Sequence, residues 1–134
     1  MPINFMAVLA AAVASWMVGA AWYGVLAKQW MASLGWTEED VKSPDGKMPM
    51  GPMITSFVAE IIMALVLLGV LSHMKVAGIQ IALMVAFLIW LGFVVTTIAV
   101  NNAFSKRSIM LTVIDSGHWL LVLLVQGIVL GLWG

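Results

Sequence analysis

The residues best suited to chemistry in this chain are two acids and a histidine that fall inside long apolar stretches. They are Glu60, Asp115 and His118, and no Lys or Arg lies in the same stretches. An acid in the middle of a membrane costs about 2.5 to 3.5 kcal/mol on insertion scales, so it faces a protein interior, pairs with a partner or holds a proton. Two interpretations stay open: hydrogen bonds that join helices, or a site that takes up a proton or a cation.

Counting from the ends of the apolar stretches places these side chains at similar depths. Glu60 lies roughly 10 Å and Asp115 roughly 8 Å inside, with His118 one turn deeper. Aromatic and amide side chains end two other stretches near the same level. The predicted polar site therefore contains Glu60, Asp115, His118, Tyr23, Trp22 and Asn101.

Composition places the chain in a membrane. Hydrophobic residues make up 63% and charged residues 9% of it, against roughly a quarter charged in a soluble domain. The net charge is zero and no basic run is present, which excludes a nucleic-acid partner. Cysteine is absent, which excludes disulfides and thiolate metal sites. No nucleophile–base pair, phosphate loop or haem-ligating pair is recognisable, so we predict neither an enzyme nor a bound cofactor.

Four apolar stretches reach the length of about 20 residues that a membrane crossing needs. Short connections force successive helices side by side. The predicted fold is an all-α membrane protein, an antiparallel four-helix transmembrane bundle that forms a single domain over residues 1–134. The helices are expected at 3–26, 53–72, 79–101 and 110–133.

An amphipathic segment, 27–52, separates the first two helices and is expected on the membrane surface. Within it we predict a short helix that stops at Gly35, a second that starts after Thr37, and a turn at 43–46. Connections 27–52 and 102–109 hold five Lys and Arg residues, against one on the opposite side. The positive-inside rule therefore makes both connections cytoplasmic and both termini external.

The last helix has two different faces. Asp115, His118, Trp119, Val122 and Gln126 form a polar face that we expect inside the bundle. Gly127 and Gly131 lie opposite, spaced as a small-xxx-small pair that permits close helix packing. We expect this glycine face to contact a neighbouring subunit, in a homo-oligomer or a larger membrane complex.

Two further patterns suggest ligands. Met48, Met50 and Met53 offer soft thioethers that suit Cu(I), although chance explains such a cluster in a chain with 11 methionines. Deep aromatic residues are expected to form either a packed core or a pocket for a quinone or a lipid tail. They are Trp16, Trp90, Trp119, Phe87 and Phe93.

Motifs along nearly the whole chain resemble a bacterial family catalogued as domain of unknown function 1761. They are Gly19-Ala20-Ala21-Trp22-Tyr23-Gly24, Lys28-Gln29-Trp30-Met31, Leu34-Gly35-Trp36-Thr37-Glu38-Glu39-Asp40, Trp90-Leu91-Gly92-Phe93, Asn101-Asn102 and Ile114-Asp115-Ser116-Gly117. The resemblance implies a four-pass protein, which we expect in a bacterial inner membrane, and it carries no established activity. Its motifs include Trp22, Tyr23, Asn101 and Asp115, while Glu60 matches it less closely.

Three functions are compatible with these patterns. The favoured one is a non-enzymatic membrane subunit that associates with itself or with a larger complex. The alternatives are a small proton- or cation-coupled transporter or channel that uses the acids, and a lipid or quinone binder.

Overall fold

The structure is a computed structural model that describes residues 3–42, 46 and 49–134. Every regular element within these ranges is helical. The helices are α1 (Phe5–Val25), α2 (Ala27–Leu34), α3 (Glu38–Val41), α4 (Met50–His73), α5 (Ile79–Ile89), α6 (Val95–Phe104) and α7 (Ile109–Trp133), and a π-helical segment, Trp90–Val94, joins α5 to α6.

Four helices are long and apolar enough to cross a membrane: α1, α4, the continuous α5–α6 helix and α7. Their ends differ from the predicted ones by at most three residues. Large apolar side chains on their outer faces are exposed and suit contact with acyl chains; they include Met17, Ile62, Val66, Leu88, Phe93 and Val113. The prediction of an all-α integral membrane protein is confirmed.

The surface segment between α1 and α4 contains the two predicted short helices. Helix α2 ends at Gly35, whose φ of 71° lies in the left-handed region that favours glycine. Helix α3 begins after Thr37, whose backbone N–H donates to the Asp40 carboxylate at 2.7 Å. Of the predicted turn at 43–46, only Gly46 is among the described residues.

Helix α7 is the centre of the bundle, in contact with α1, α2, α4, α5 and α6. It runs opposite to α1: the Asn4 amide donates to the Trp133 carbonyl at 3.1 Å, and Tyr23 binds Asp115 at 2.6 Å nearer the other end. We call the end of the bundle with α2, α3 and the 105–108 connection the loop end. The opposite end, with residues 74–78, is the turn end.

Helix α1 packs on α7 through a stripe of buried small residues four positions apart. They are Ala7, Ala11, Ser15 and Gly19. Small side chains let two backbones approach closely, which is the main source of helix association in lipid. The stripe brings α1 close enough for its polar side chains to reach α7.

The glycine face of α7 contacts α5 of the same chain. A Cβ on Gly127 would lie 3.2 Å from the Ala82 carbonyl oxygen, and one on Gly131 would lie 2.9 Å from Ile79 Cα. Gly127 and Gly131 are helix-packing residues, but the expected contact of this face with a neighbouring subunit is wrong. The short connection 105–108 is one reason, because it folds the α5–α6 helix back along α7, whereas α4 packs mainly on α1.

The π-helical segment turns the Trp90 side chain of the third membrane helix towards α7. Its indole N–H donates to the Ser116 carbonyl oxygen at 2.8 Å. A π-turn inserts an extra residue into a helix and rotates the side chains that follow it. This geometry lets Trp90 bind α7 while Phe93, three residues later, is 75% exposed on the outer face.

Candidate functional site

A cavity of about 570 Å³ opens at the loop end, among α1, α2, α3, α4 and α7. We call it the loop-end cavity. Its lining is mainly apolar, and its aromatic residues are Trp16, Tyr23, Trp30 and Trp119. The membrane-spanning helices contribute three ionisable residues to the lining, Tyr23, Glu60 and His118. The surface segment contributes Glu38 and Lys42.

Glu60 is the most deeply buried acid in the described residues, with 1% of its surface exposed. It lies on the inward stripe of α4 with Ala64, Leu67 and Leu71, so the helix turns it towards the bundle. Its carboxyl group neighbours the Ser15 hydroxyl, yet its Oε1 atom has no hydrogen-bond partner. A buried acceptor without a partner is costly, and this oxygen is one of four such atoms in the described residues, with Ser116 Oγ, His118 Nδ1 and Gln126 Oε1.

Gln126 joins three helices beside this acid. Its side-chain N–H₂ donates to the Glu60 backbone carbonyl at 2.9 Å and to the Ser15 hydroxyl oxygen at 3.2 Å. Gln126 is fully buried. These bonds hold α1, α4 and α7 together at the level of Glu60.

His118 lies in the cavity wall, 6% exposed, with its Nδ1 atom unpartnered. Its ring centroid is 4.8 Å from that of Tyr23 and 4.5 Å from that of Trp119. Gly19 provides the room for the imidazole, because a Cβ there would lie 2.6 Å from His118 Nε2. The imidazole is therefore confined by the two aromatic rings and lies in the space that Gly19 leaves on α1.

Asp115 is held by a hydrogen bond from helix α1. The Tyr23 hydroxyl donates to its Oδ1 atom at 2.6 Å, and the Trp30 ring packs on Tyr23 with centroids 5.7 Å apart. Trp22 reinforces this contact, since its indole N–H donates to the Ile114 carbonyl at 3.0 Å. Asp115 thus joins α1 to α7 and is not among the residues that line the cavity.

The structure separates the two acids that depth counting placed together. Glu60 lies at the level of Ser15 and Asp115 at the level of Tyr23, eight residues or about 12 Å apart along α1. Helix α4 begins at Met50, three residues before its predicted start, so Glu60 lies ten residues into α4. Asp115 lies six residues into α7, which begins beside α2, where the Ser108 hydroxyl donates to the Ser33 carbonyl at 3.2 Å. The two acids therefore differ in distance from their own helix ends as well as in level.

Asn101 is the member of the predicted polar site that lies away from the others. Its side chain is exposed on α6, whereas the neighbouring Asn102 donates to the Thr112 hydroxyl at 3.0 Å. The structure brings Tyr23 and His118 into contact, and Glu60 lines the same cavity. Asp115 and Trp22 lie next to the cavity and join α1 to α7.

Only some residues of the methionine cluster and of the deep aromatic group line the loop-end cavity. Of the thioether cluster, Met53 lines the cavity, Met50 is exposed and Met48 lies outside the described residues. Trp16 and Trp119 line the cavity, but Phe87 and Phe93 face outwards and Trp90 binds α7. The aromatic wall is completed instead by Tyr23 and Trp30.

Sequence reasoning missed Ser15, Trp30 and Ser56 as parts of this region. The Trp16 indole donates to the Ser56 hydroxyl at 3.1 Å, which joins α1 to α4 beside the cavity. A signal for Ser15 was present, because it continues the four-residue spacing of small residues that leads through Gly19 to Tyr23. No comparable signal marked Trp30, whose position depends on how α2 folds back onto α7.

Comparison with known proteins provides a family and nothing finer. No curated protein and no solved structure matches the chain. A family model described as "Protein of unknown function (DUF1761)" matches residues 6–131, which include the cavity-lining helices. The chain, a four-helix integral membrane protein with an acid-bearing cavity, therefore belongs to the DUF1761 family.

Proposed function

We propose that this protein binds a small amphipathic molecule in the loop-end cavity and does not change it chemically. The observation that carries this proposal is the Glu60 carboxyl, buried in a cavity-lining position with one oxygen unpartnered. The volume of about 570 Å³ falls within the range of roughly 300–1,000 Å³ that is common for small-molecule sites. Apolar walls with a few polar groups are typical of such sites as well.

The test uses two open glycines of the membrane helices as a matched pair. Gly24 lines the cavity and Gly69 of α4 does not, and a Cβ on either would meet no atom within 4 Å. Wild-type protein, Gly24→Leu and Gly69→Leu are purified in mild detergent, and small molecules that remain bound are detected by native mass spectrometry and solvent extraction.

We expect wild type and Gly69→Leu to retain a small molecule, and Gly24→Leu to lose it because the leucine side chain fills the cavity. Wild-type protein that never carries a bound molecule, or an adduct that Gly24→Leu retains fully, would contradict the proposal.

A proton- or cation-coupled transporter or channel is the second candidate, favoured by the same unpartnered carboxyl oxygen. Asp115 is already bound by Tyr23, so Glu60 is the acid available for such a cycle. In liposomes with an imposed proton gradient, Glu60→Gln is expected to abolish flux under this candidate. A liposome preparation without any proton or cation flux would exclude it.

Self-association, the function that the sequence favoured, has less structural support. The glycine face from which it was inferred packs against α5. An oligomer would have to form through the outer apolar faces of the four membrane helices. The proposed location is a bacterial inner membrane with the loop end in the cytoplasm, supported by the distribution of Lys and Arg in the connections.

A further inference from the structure

The acidic and the basic side chains that line the loop-end cavity differ in burial. Glu60 is buried on α4, whereas the cationic side chain of the lining, Lys42, is exposed in the surface segment. The four membrane-spanning helices contain no Lys or Arg that could neutralise Glu60 from within the bundle. Asp115, behind Tyr23, is a second acid on the same side of the molecule.

An acid in this position favours a positively charged partner. A buried carboxylate is costly unless a counter-charge or hydrogen-bond donors compensate for the lost hydration. Here the Ser15 hydroxyl lies beside the carboxyl but donates to the Ala12 carbonyl oxygen at 3.1 Å, and Oε1 remains without a partner. An organic ammonium or a similar cation in the cavity would supply the missing charge.

The aromatic walls favour the same class of ligand. Trp16, Tyr23, Trp30 and Trp119 line the cavity, and the faces of tryptophan and tyrosine rings attract cations within about 6 Å of the ring centre. The charge of an apolar anion would be disfavoured by these negative ring faces and repelled by an ionised Glu60 carboxylate.

An inorganic cation suits the cavity less well. Ca²⁺ and Mg²⁺ need about six oxygen ligands or retained waters, and the described residues contain no group of three or more His, Asp or Glu side chains that could hold a metal. The mainly apolar lining instead matches a ligand whose charge is attached to a hydrophobic body.

We infer that the molecule bound in the loop-end cavity is a hydrophobic organic cation, recognised by the Glu60 carboxylate and by the surrounding aromatic rings. This inference rests on the proposed binding function and specifies its ligand class.

The experiment compares two probes of nearly the same size and shape and of opposite charge, tetraphenylphosphonium and tetraphenylborate. Binding of each to the purified full-length protein is measured by isothermal titration calorimetry in a detergent without charge. The variants are Glu60→Gln, which removes the charge with little change in shape, and Glu39→Gln, which removes an exposed acid that is not among the lining residues.

Wild type and Glu39→Gln are expected to bind the cation at least tenfold more tightly than the anion, and Glu60→Gln to lose this preference. Equal affinity for both probes in wild type would overturn the cation inference while leaving a binding cavity in place. Binding of neither probe, together with the absence of any retained molecule, would overturn the proposed function as well. The wild-type comparison decides the inference even if Glu60→Gln does not fold.

Discussion

At the scale of single residues, two intramembrane acids have different surroundings and hence different roles. Asp115 accepts a hydrogen bond of 2.6 Å from Tyr23, so its polarity is used to join α1 to α7. Glu60 lies deeper and keeps an unpartnered oxygen beside a cavity. Because an unpartnered buried oxygen is unfavourable and a bonded one is not, Glu60 is the one of these two acids that would gain from a ligand.

The Tyr23–Asp115 contact is open to a double-mutant cycle. Tyr23→Phe and Asp115→Asn are each expected to destabilise the protein. The pair is expected to show a coupling energy between about 0.6 and 1.7 kcal/mol, the average and the maximum measured for hydrogen bonds between membrane helices. Stability is measured by reversible unfolding in mixed micelles. A parallel cycle of Tyr23→Phe with Glu60→Gln is the control, and it should show coupling near zero because the two side chains lie at different levels.

The room that Gly19 leaves for His118 gives a second prediction. Gly19→Ala is expected to lower stability by about 1 to 3 kcal/mol, because its Cβ would lie 2.6 Å from an imidazole that Tyr23 and Trp119 already confine. Gly24→Ala in the same helix is the control, since a Cβ there meets no atom within 4 Å. Alanine should stabilise that position by up to about 1 kcal/mol through helix propensity.

Thermal unfolding of the two purified variants checks this prediction. A Gly19→Ala variant as stable as Gly24→Ala would mean that His118 is not packed against α1.

At the scale of elements, α7 organises the molecule because each of its faces has a partner within the chain. Its polar face meets α1, its glycine face meets α5, and its first turns meet α2. Helix association in lipid depends on close packing and on interhelical hydrogen bonds, since lipid is as apolar as the helices themselves. Helix α7 has both, while the outer faces of α4 and of the α5–α6 helix are mainly apolar.

Substitution of Gly131 tests whether the glycine face is internal. In Gly131→Ala the new Cβ would lie 2.9 Å from Ile79 Cα and 3.1 Å from the Gly78 carbonyl oxygen, both backbone atoms. We expect a loss of about 1 to 3 kcal/mol in unfolding free energy, without a change in oligomeric size. Gly69→Ala in α4, where nothing lies within 4 Å, serves as the control and should be neutral or slightly stabilising.

Unfolding in micelles and light scattering of the purified variants provide the two measurements. If Gly131→Ala were stable but altered the oligomeric size, the glycine face would be an interface between subunits after all.

At the scale of the whole molecule, the loop end and the turn end differ in structure and in charge. The loop end holds the surface helices, the cavity and most of the basic residues, whereas the turn end holds Lys75 in a short connection. This asymmetry predicts that the loop end faces the cytoplasm. A cavity there would receive its ligand from the cytoplasm or from the adjoining leaflet.

Orientation can be measured directly because the native chain has no cysteine. Single cysteines are introduced in place of two exposed residues, Ala77 at the turn end and Ser105 at the loop end. In intact bacterial cells that express each variant, a membrane-impermeant maleimide is expected to label Ala77→Cys and to label Ser105→Cys only after permeabilisation. The opposite pattern would reverse the topology and place the cavity on the outer side.

The sequence alone was sufficient for features that depend on local composition. Apolar length predicted the four membrane helices to within three residues, and glycine and capping patterns predicted where α2 ends and where α3 begins. The family was also recognisable, because its motifs are short and keep their order along the chain. Helix length, helix ends and short motifs are each determined by residues that are close together in the sequence.

Tertiary structure alone decided which polar residues meet. Glu60 and Asp115 were expected at one depth, yet Glu60 lies beside Ser15 and Asp115 beside Tyr23, about two turns apart along α1. The fold of the surface segment brings Trp30 to the cavity. The glycine face was expected between subunits, yet α5 covers it. The level and the partners of each helix arise from packing over the whole bundle. A helix that slides by one turn keeps the same sequence pattern, so the pattern cannot report its level. Only the assembled structure therefore distinguishes the acid that joins helices from the acid that is left for a ligand.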